Sequence, residues 1–188
     1  MNINTIFIKA NEVEFLDELE YTIQPDLCIT AVYGQYLPKR FLRIPKFGTV
    51  NMHPSLLPKY RGASPVQRSL AAGENPLGVS VLFTVTKMDA GPIVSQQSHT
   101  MSSNDDDATK ILPLLFDIGT TQLLEKLPDM LEGKITMEEN VIMQNEDDVI
   151  EAPLIDSSEG ELKVCSSIIV IIRWNIVRHI SNCTMDYL

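Results

Sequence analysis

Phe47-Gly48-Thr49-Val50-Asn51-Met52-His53-Pro54-Ser55-Leu56-Leu57-Pro58-Lys59-Tyr60-Arg61-Gly62 passes from an apolar run into a stretch crowded with prolines, and its reading decides the fold. Phe47 to Met52 predicts a strand opened by Gly48 and ended at His53-Pro54, where the chain must leave helical geometry. Two prolines and a glycine between Pro54 and Gly62 predict a loop. Side chains two apart on a strand share a face, so Asn51 and His53 point the same way near its end. In open α/β sheets ligands bind beyond the carboxyl ends of the strands, which puts this pair at a ligand-facing edge.

Upstream, Leu27 to Val32 is a short apolar run bounded by Pro25 and Gly34, the pattern of a buried strand covered on both faces. Asn11 followed by Glu14 has capping-box spacing, and Val13, Phe15, Leu16, Leu19 and Ile23 recur at helical spacing, so a helix is predicted over Asn11–Gln24. A short helix fits Pro38 to Leu42. Downstream, Ser64 can cap a helix with Pro65 at its first position, running to Gly73. Leu77–Val85 and Ile93–Ser98 are third and fourth strands, with a turn over Met88–Pro92. Asn104 to Leu131 is helical, with Asp105, Asp106 and Asp107 at the positive end of its dipole and Pro113 in the first turn or at a kink.

This order predicts an α/β protein, with right-handed crossovers and a largely parallel, doubly wound Rossmann-like sheet flanked by helices. Three divisions are expected: residues 1–132 as the main domain, 133–160 as an acidic, aperiodic linker, and 161–188 as a divergent tail.

A chain of 188 residues can bury one real core. Its three cysteines are odd in number and widely spaced, which suggests neither a disulfide framework nor a zinc cluster. His53, His99 and His179 lack ligand-spaced partners, so no metal is expected. The longest uninterrupted apolar run, Ile168 to Ile172, is far below the roughly 20 residues of a membrane helix, and a soluble chain is expected. The net charge of −10 argues against a nucleic-acid partner. Its distribution argues the other way. Between Asp26 and Glu74 there is no acid, while Lys39, Arg40, Arg43, Lys46, Lys59, Arg61 and Arg68 fall there, giving +7 locally and leaving −17 elsewhere. Such asymmetry suits an anionic ligand, although basic residues also simply decorate surface loops.

A histidine at a strand end is more often structural than catalytic. What raises His53 above that is Asp89, in Met88-Asp89-Ala90-Gly91-Pro92 after the next strand. Parallel strands joined by a crossover end on the same edge, so the two residues can meet there. A carboxylate beside the ring would favour imidazolium, and Asn51 would add a neutral donor for an oxyanion. The plainer reading of Asp89 alone is an Asx turn before Gly91.

Asn51-x-His53-Pro54-Ser55-Leu56-Leu57-Pro58-x-Tyr60-x-Gly62, followed by Asp89-x-Gly91, resembles the signature of the 10-formyltetrahydrofolate-dependent formyltransferases, and the likeness runs from about Asn11 to Gly160. The resemblance implies catalytic roles for Asn51, His53 and Asp89. It implies a folate site lined by Ser55, Leu56, Leu57 and Pro58, with Tyr33 to Pro38, Gln35 and Leu37 among them, as the other wall of the pterin pocket. Arg61-Gly62-Ala63-Ser64-Pro65-Val66-Gln67 resembles the branch acting on methionyl initiator tRNA more than the purine-synthesis branch. Implied with it are 10-formyltetrahydrofolate as formyl donor, initiator methionyl-tRNA as a partner weakened or lost without the family's C-terminal domain, a monomer in the full-length form, and a mitochondrial or plastid setting.

Against the family pattern, the opening strands are not seen ahead of Leu27, so an incomplete N-terminal half with an exposed apolar sheet edge is expected. Leu162 to Leu188 bears little resemblance to the family's tRNA-contacting barrel. A related folate-dependent transferase or hydrolase with another acceptor, or an inactive truncated form, are the alternatives.

Overall fold

The computed structural model describes residues 10–102 and 107–156, and the backbone of residues 168–172. Helix α1 (Val13–Asp17) continues as a π-helical segment, Glu18–Ile23, and leads into strand β1 (Leu27–Ala31). Helix α2 (Lys39–Arg43), strand β2 (Thr49–His53), helix α3 (Pro65–Ala71) and strands β3 (Leu77–Phe83) and β4 (Ile93–His99) follow. The long helix α4 (Ala108–Leu131), a 3-10 turn at Glu146–Asp148 and strand β5 (Ile168–Ile172) complete the described elements.

The five strands form one sheet in the order β4-β3-β2-β1-β5. The expected α/β class with flanking helices is observed, but the pairing differs from the crossover reading. β1 and β2 are parallel, with Ile29 opposite Val50 and Thr30 opposite Asn51. β3 runs antiparallel to β2, and β4 antiparallel to β3. Length explains the difference. Seven helical residues in α3 rise only about 10 Å, whereas the seven residues of β3 span about 23 Å, so α3 cannot carry the chain back down the sheet. β3 therefore starts where β2 stops, with Ser80 opposite His53.

Strand alternation sorts the two faces. Leu27, Ile29, Val50, Met52, Val81 and Phe83 join Leu123, Leu127, Met130 and Leu131 of α4 in one core cluster. Val79 and Leu77 join Ile111 and Leu115 of the same helix in a second. Each such burial stabilises by about 1.5–3 kcal/mol. Gly119 lets α4 lie close: a Cβ there would sit 2.8 Å from Val79 Cγ2. On the opposite face Cys28 packs with Leu16, Leu19, Leu37 and Phe41, while Leu57 covers Leu82 and Ile93. Burial pushes the Cys28 thiol up to about 12, so it stays protonated and behaves as a small apolar side chain.

Helix ends show smaller departures. The residue capping α1 is Glu12, with no side-chain hydrogen bond, so the capping box expected from Asn11 does not form. Asp107 does cap α4, accepting from the Thr109 N–H at 2.9 Å; Asp105 and Asp106 lie outside the described residues. Pro113 and Pro128 both lie within α4, so Pro113 falls beyond its first turn.

Residues 133–156 are not a free linker. Ile142 exchanges two backbone hydrogen bonds with Ile93, both at 2.8 Å. Further on, Arg61 N–H donates to Ile150 O and Ala152 N–H to Arg61 O, and Ala152 is fully buried. The β1 edge expected to stand open is paired with β5, antiparallel, with Leu27 opposite Ile172 and Ala31 opposite Ile168. The rest of the 161–188 tail lies outside the described residues.

Candidate active site

β2 ends at His53, a residue only 4% exposed. Its Nε2 lies 2.9 Å from the backbone oxygen of Tyr60. A carbonyl can only accept, so Nε2 carries the hydrogen and the ring is held by its far nitrogen. Tyr60 turns that carbonyl inward with a left-handed backbone, φ 62°, and its hydroxyl donates to Glu74 at 3.1 Å. The other ring nitrogen, Nδ1, lies 3.7 Å from Asp89 Oδ2. That is near enough for ion pairing and too long for a hydrogen bond, so both groups keep capacity for a reacting molecule.

The route by which Asp89 arrives is not the one parallel strands would provide. β3 ends beside Val50, about three residues down β2 from His53, and the 84–92 loop doubles back up. Asp89 adopts φ 49°, a conformation that aspartate tolerates better than most residues. Gly62 N–H donates to Asp89 Oδ2 at 3.0 Å and holds the carboxylate in place.

Asn51 sits two residues before His53 on the same face of β2 and is partly exposed. The Thr30 hydroxyl, on the neighbouring strand, lies 3.0 Å from Asn51 Oδ1 and 3.3 Å from Val50 O. Thr30 thus engages the amide oxygen and turns the Nδ2 donor away from β1. The arrangement offers two nitrogen donors and a carboxylate along one strand end, which suits a carbonyl carbon whose oxygen gains negative charge.

The remaining candidates are spread out. Ser55 is buried and donates to Lys59 O at 2.8 Å. Leu57 is buried against Leu82 and Ile93, and Leu37 packs in the cluster of Cys28 and Phe41. Gln35 is exposed. Leu56, Leu57 and Pro58 line an open cleft of about 570 Å³ whose other wall is Asp147 to Ile150. Neither His53 nor Asp89 lines it, so this cleft is not where the titratable pair meets. Below the 55–57 turn, fully buried Ser80 donates to Ser55 O at 2.6 Å and accepts from Leu57 N–H and Gln96 Nε2.

Part of the basic stretch is neutralised within the chain. Arg40 pairs with Asp17 and Glu20, Lys59 with Glu74, and buried Arg61 with Glu146. Hydrogen bonds that Arg40 donates to Asp17 and Glu20 push its guanidinium above its ordinary value. Among the described residues no group of three or more His, Cys, Asp or Glu side chains could hold a metal ion, and no helix is long and apolar enough to cross a membrane.

Residues 9–124 match the family described as formyl transferase. The chain belongs to the formyl transferase family. Among curated formyl transferase relatives, the methionyl-tRNA formyltransferase of Lactiplantibacillus plantarum is 42% identical over 140 residues, which is 74% of this chain and 43% of that protein. The chain thus spans less than half the length of that relative. Among solved structures, the formyltransferase PseJ from Anoxybacillus kamchatkensis, in complex with UDP-4,6-dideoxy-4-formamido-L-AltNAc and tetrahydrofolate, superposes with a TM-score of 0.60 at 25% identity, over 69% of this chain and 65% of that one. HypX from Aquifex aeolicus in complex with tetrahydrofolic acid shares the fold, with a TM-score of 0.63 at 18% identity over 81% of this chain and 25% of that one.

Sequence reasoning missed the supports of this candidate site: Thr30, the Tyr60 carbonyl, the Gly62 N–H and Gln144. Tyr60 and Gly62 stood in the quoted motif without a role, and Thr30 in Leu-Cys-Ile-Thr-Ala was signalled as a threonine in an apolar strand.

Proposed function

We propose that this chain carries the formyl-transfer site of an enzyme moving a formyl group from 10-formyltetrahydrofolate to the amino group of methionyl initiator tRNA. The observation that carries the reading is the His53 Nδ1–Asp89 Oδ2 approach of 3.7 Å beside Asn51, in a chain 42% identical to a methionyl-tRNA formyltransferase. The folate donor is further supported by the tetrahydrofolate bound in the structural relatives PseJ and HypX.

In this reading the neutral amine of methionine attacks the formyl carbon. A carbon–nitrogen bond forms, the carbonyl π electrons move to oxygen, and a tetrahedral oxyanion results. Asn51 Nδ2–H and His53 Nδ1–H, the latter on a ring with both nitrogens protonated, donate to that oxygen. Such donors are worth most where charge develops in a water-poor site, and His53 is almost fully buried. Asp89 balances the ring charge and relays the proton from the attacking nitrogen to the cofactor's departing nitrogen. The old carbon–nitrogen bond then breaks, leaving formylated methionine and tetrahydrofolate. Ser55, Leu56, Leu57, Pro58, Gln35 and Leu37 are proposed to shape the folate site, the buried ones by supporting the loops that face it.

The relatives are bacterial, so the mitochondrial or plastid setting implied by the sequence resemblance gains no support from them. The test is to incubate the chain with 10-formyltetrahydrofolate and methionyl initiator tRNA and resolve formylated from unformylated aminoacyl-tRNA. Formylation above the uncatalysed background supports the reading; none, with the chain folded, overturns it.

A further inference from the structure

Gln144 spends its whole amide on the two loops that meet at the site. Its Oε1 lies 3.0 Å from Arg61 Nε and 2.8 Å from Arg61 Nη2, accepting from both. Its Nε2 donates to the carbonyls of Asp89, at 2.8 Å, and Gly91, at 2.7 Å. Two lone pairs and two hydrogens are all an amide has, so its bonding is complete.

Each loop held this way supplies the site. Tyr60 and Gly62, on either side of Arg61, give the carbonyl that holds His53 and the N–H that holds Asp89. Gly91 and Asp89 belong to the loop that doubles back along β2. Arg61 is itself buried and tied to Glu146, so it is a fixed anchor for Gln144. Gln144 is fixed from below as well, because Ile142 is stitched to Ile93 at the foot of β4.

We infer that Gln144 is a positioning residue for the transfer reaction: it clamps the Asp89 loop to the Arg61 loop and so sets the approach of Asp89 to His53. The inference rests on the formyl-transfer reading of the site. Gln144 acts through main-chain carbonyls and touches no reacting atom.

Two substitutions separate positioning from plain stability. Gln144→Met removes both halves of the clamp. Gln144→Glu keeps an oxygen for Arg61 but has no hydrogen for the carbonyls of Asp89 and Gly91. Variants of the 188-residue chain would be assayed for formyl transfer, thermal midpoint, and trypsin cleavage after Lys87 in the 84–92 loop. Expected in both is a kcat loss of about ten- to a hundredfold with KM for the folate donor within about twofold, since small misplacement of reacting groups has costs of that order. Cleavage after Lys87 should quicken in both, while Gln144→Glu keeps the wild-type thermal midpoint. Unchanged kcat in Gln144→Glu, or a loss that falls entirely on KM, overturns the role. An inactive unmodified chain overturns the functional reading and this role with it, whereas an active one whose Lys87 cleavage is unchanged in Gln144→Met overturns the clamp alone.

Discussion

Thr30 on β1 holds the amide of Asn51 on β2: hydroxyl and amide oxygen are 3.0 Å apart across the only parallel pair among the described strands. Because Thr30 is 2% exposed, water does not compete for this contact, and β1 dictates which end of the Asn51 amide faces outward. Thr30→Val preserves shape and removes the donor. The amide then loses its preferred orientation, and kcat should fall about tenfold with folate KM unchanged, against a loss of about 10²–10³ for Asn51→Ala. Steady-state kinetics of the two variants checks this.

Gly62 joins the two halves of the site and cannot accept a side chain. Its φ is +126°, and a Cβ would stand 2.5 Å from the Ala152 carbonyl oxygen. Gly62→Ala should therefore destabilise by about 1–3 kcal/mol from backbone strain alone. Urea unfolding followed by circular dichroism measures it, and the variant should also lose activity, because Gly62 N–H holds Asp89.

Glu146 gives acid sensitivity. Hydrogen bonds from Lys87 first, then Arg61, hold its carboxyl below the ordinary value of 4.5. The folded state therefore favours the charged form. Its contribution is present above about pH 4.5 and is lost as the pH falls through the depressed folded value. Glu146→Gln removes this increment, so thermal midpoints of wild type and variant should converge as the pH drops below the ordinary carboxylate range.

Cys28 should resist thiol reagents. With its thiol pushed up to about 12 and fully buried, it carries almost no thiolate at pH 8. Mass spectrometry after iodoacetamide treatment should find Cys28 unmodified in the native chain and alkylated after unfolding.

How much of this was legible in the residues varies by element. β1, β2, β3 and β4 were marked by apolar runs between prolines and glycines, and their ends fell within one or two residues of expectation. Their directions were not legible, because periodicity reports burial and says nothing about which way a strand runs. What decides direction at β3 is the shortness of α3. His53 and Asp89 were expected to meet, and they do approach to 3.7 Å, but through a loop that doubles back instead of a shared strand edge. Asn11 failed as a cap because the helix starts one residue later, after Glu12. The basic stretch looked free in one dimension; among the described residues Arg40, Lys59 and Arg61 are matched by acids elsewhere in the chain. Gln144 left no trace at all, since a polar residue in an acidic, aperiodic stretch has the composition of a linker whether or not it is bound.

The central claim is that His53 and Asp89 act as one unit on one carbon. Single-turnover formyl transfer to methionyl-tRNA by wild type, His53→Asn, Asp89→Asn and the double variant tests it most directly. Each single change should cost about 10²–10⁴ in rate, the range of a lost proton-transfer group, and the double variant should be little worse than the poorer single. Losses that multiply in the double variant, or an Asp89→Asn chain as fast as wild type, would contradict the account.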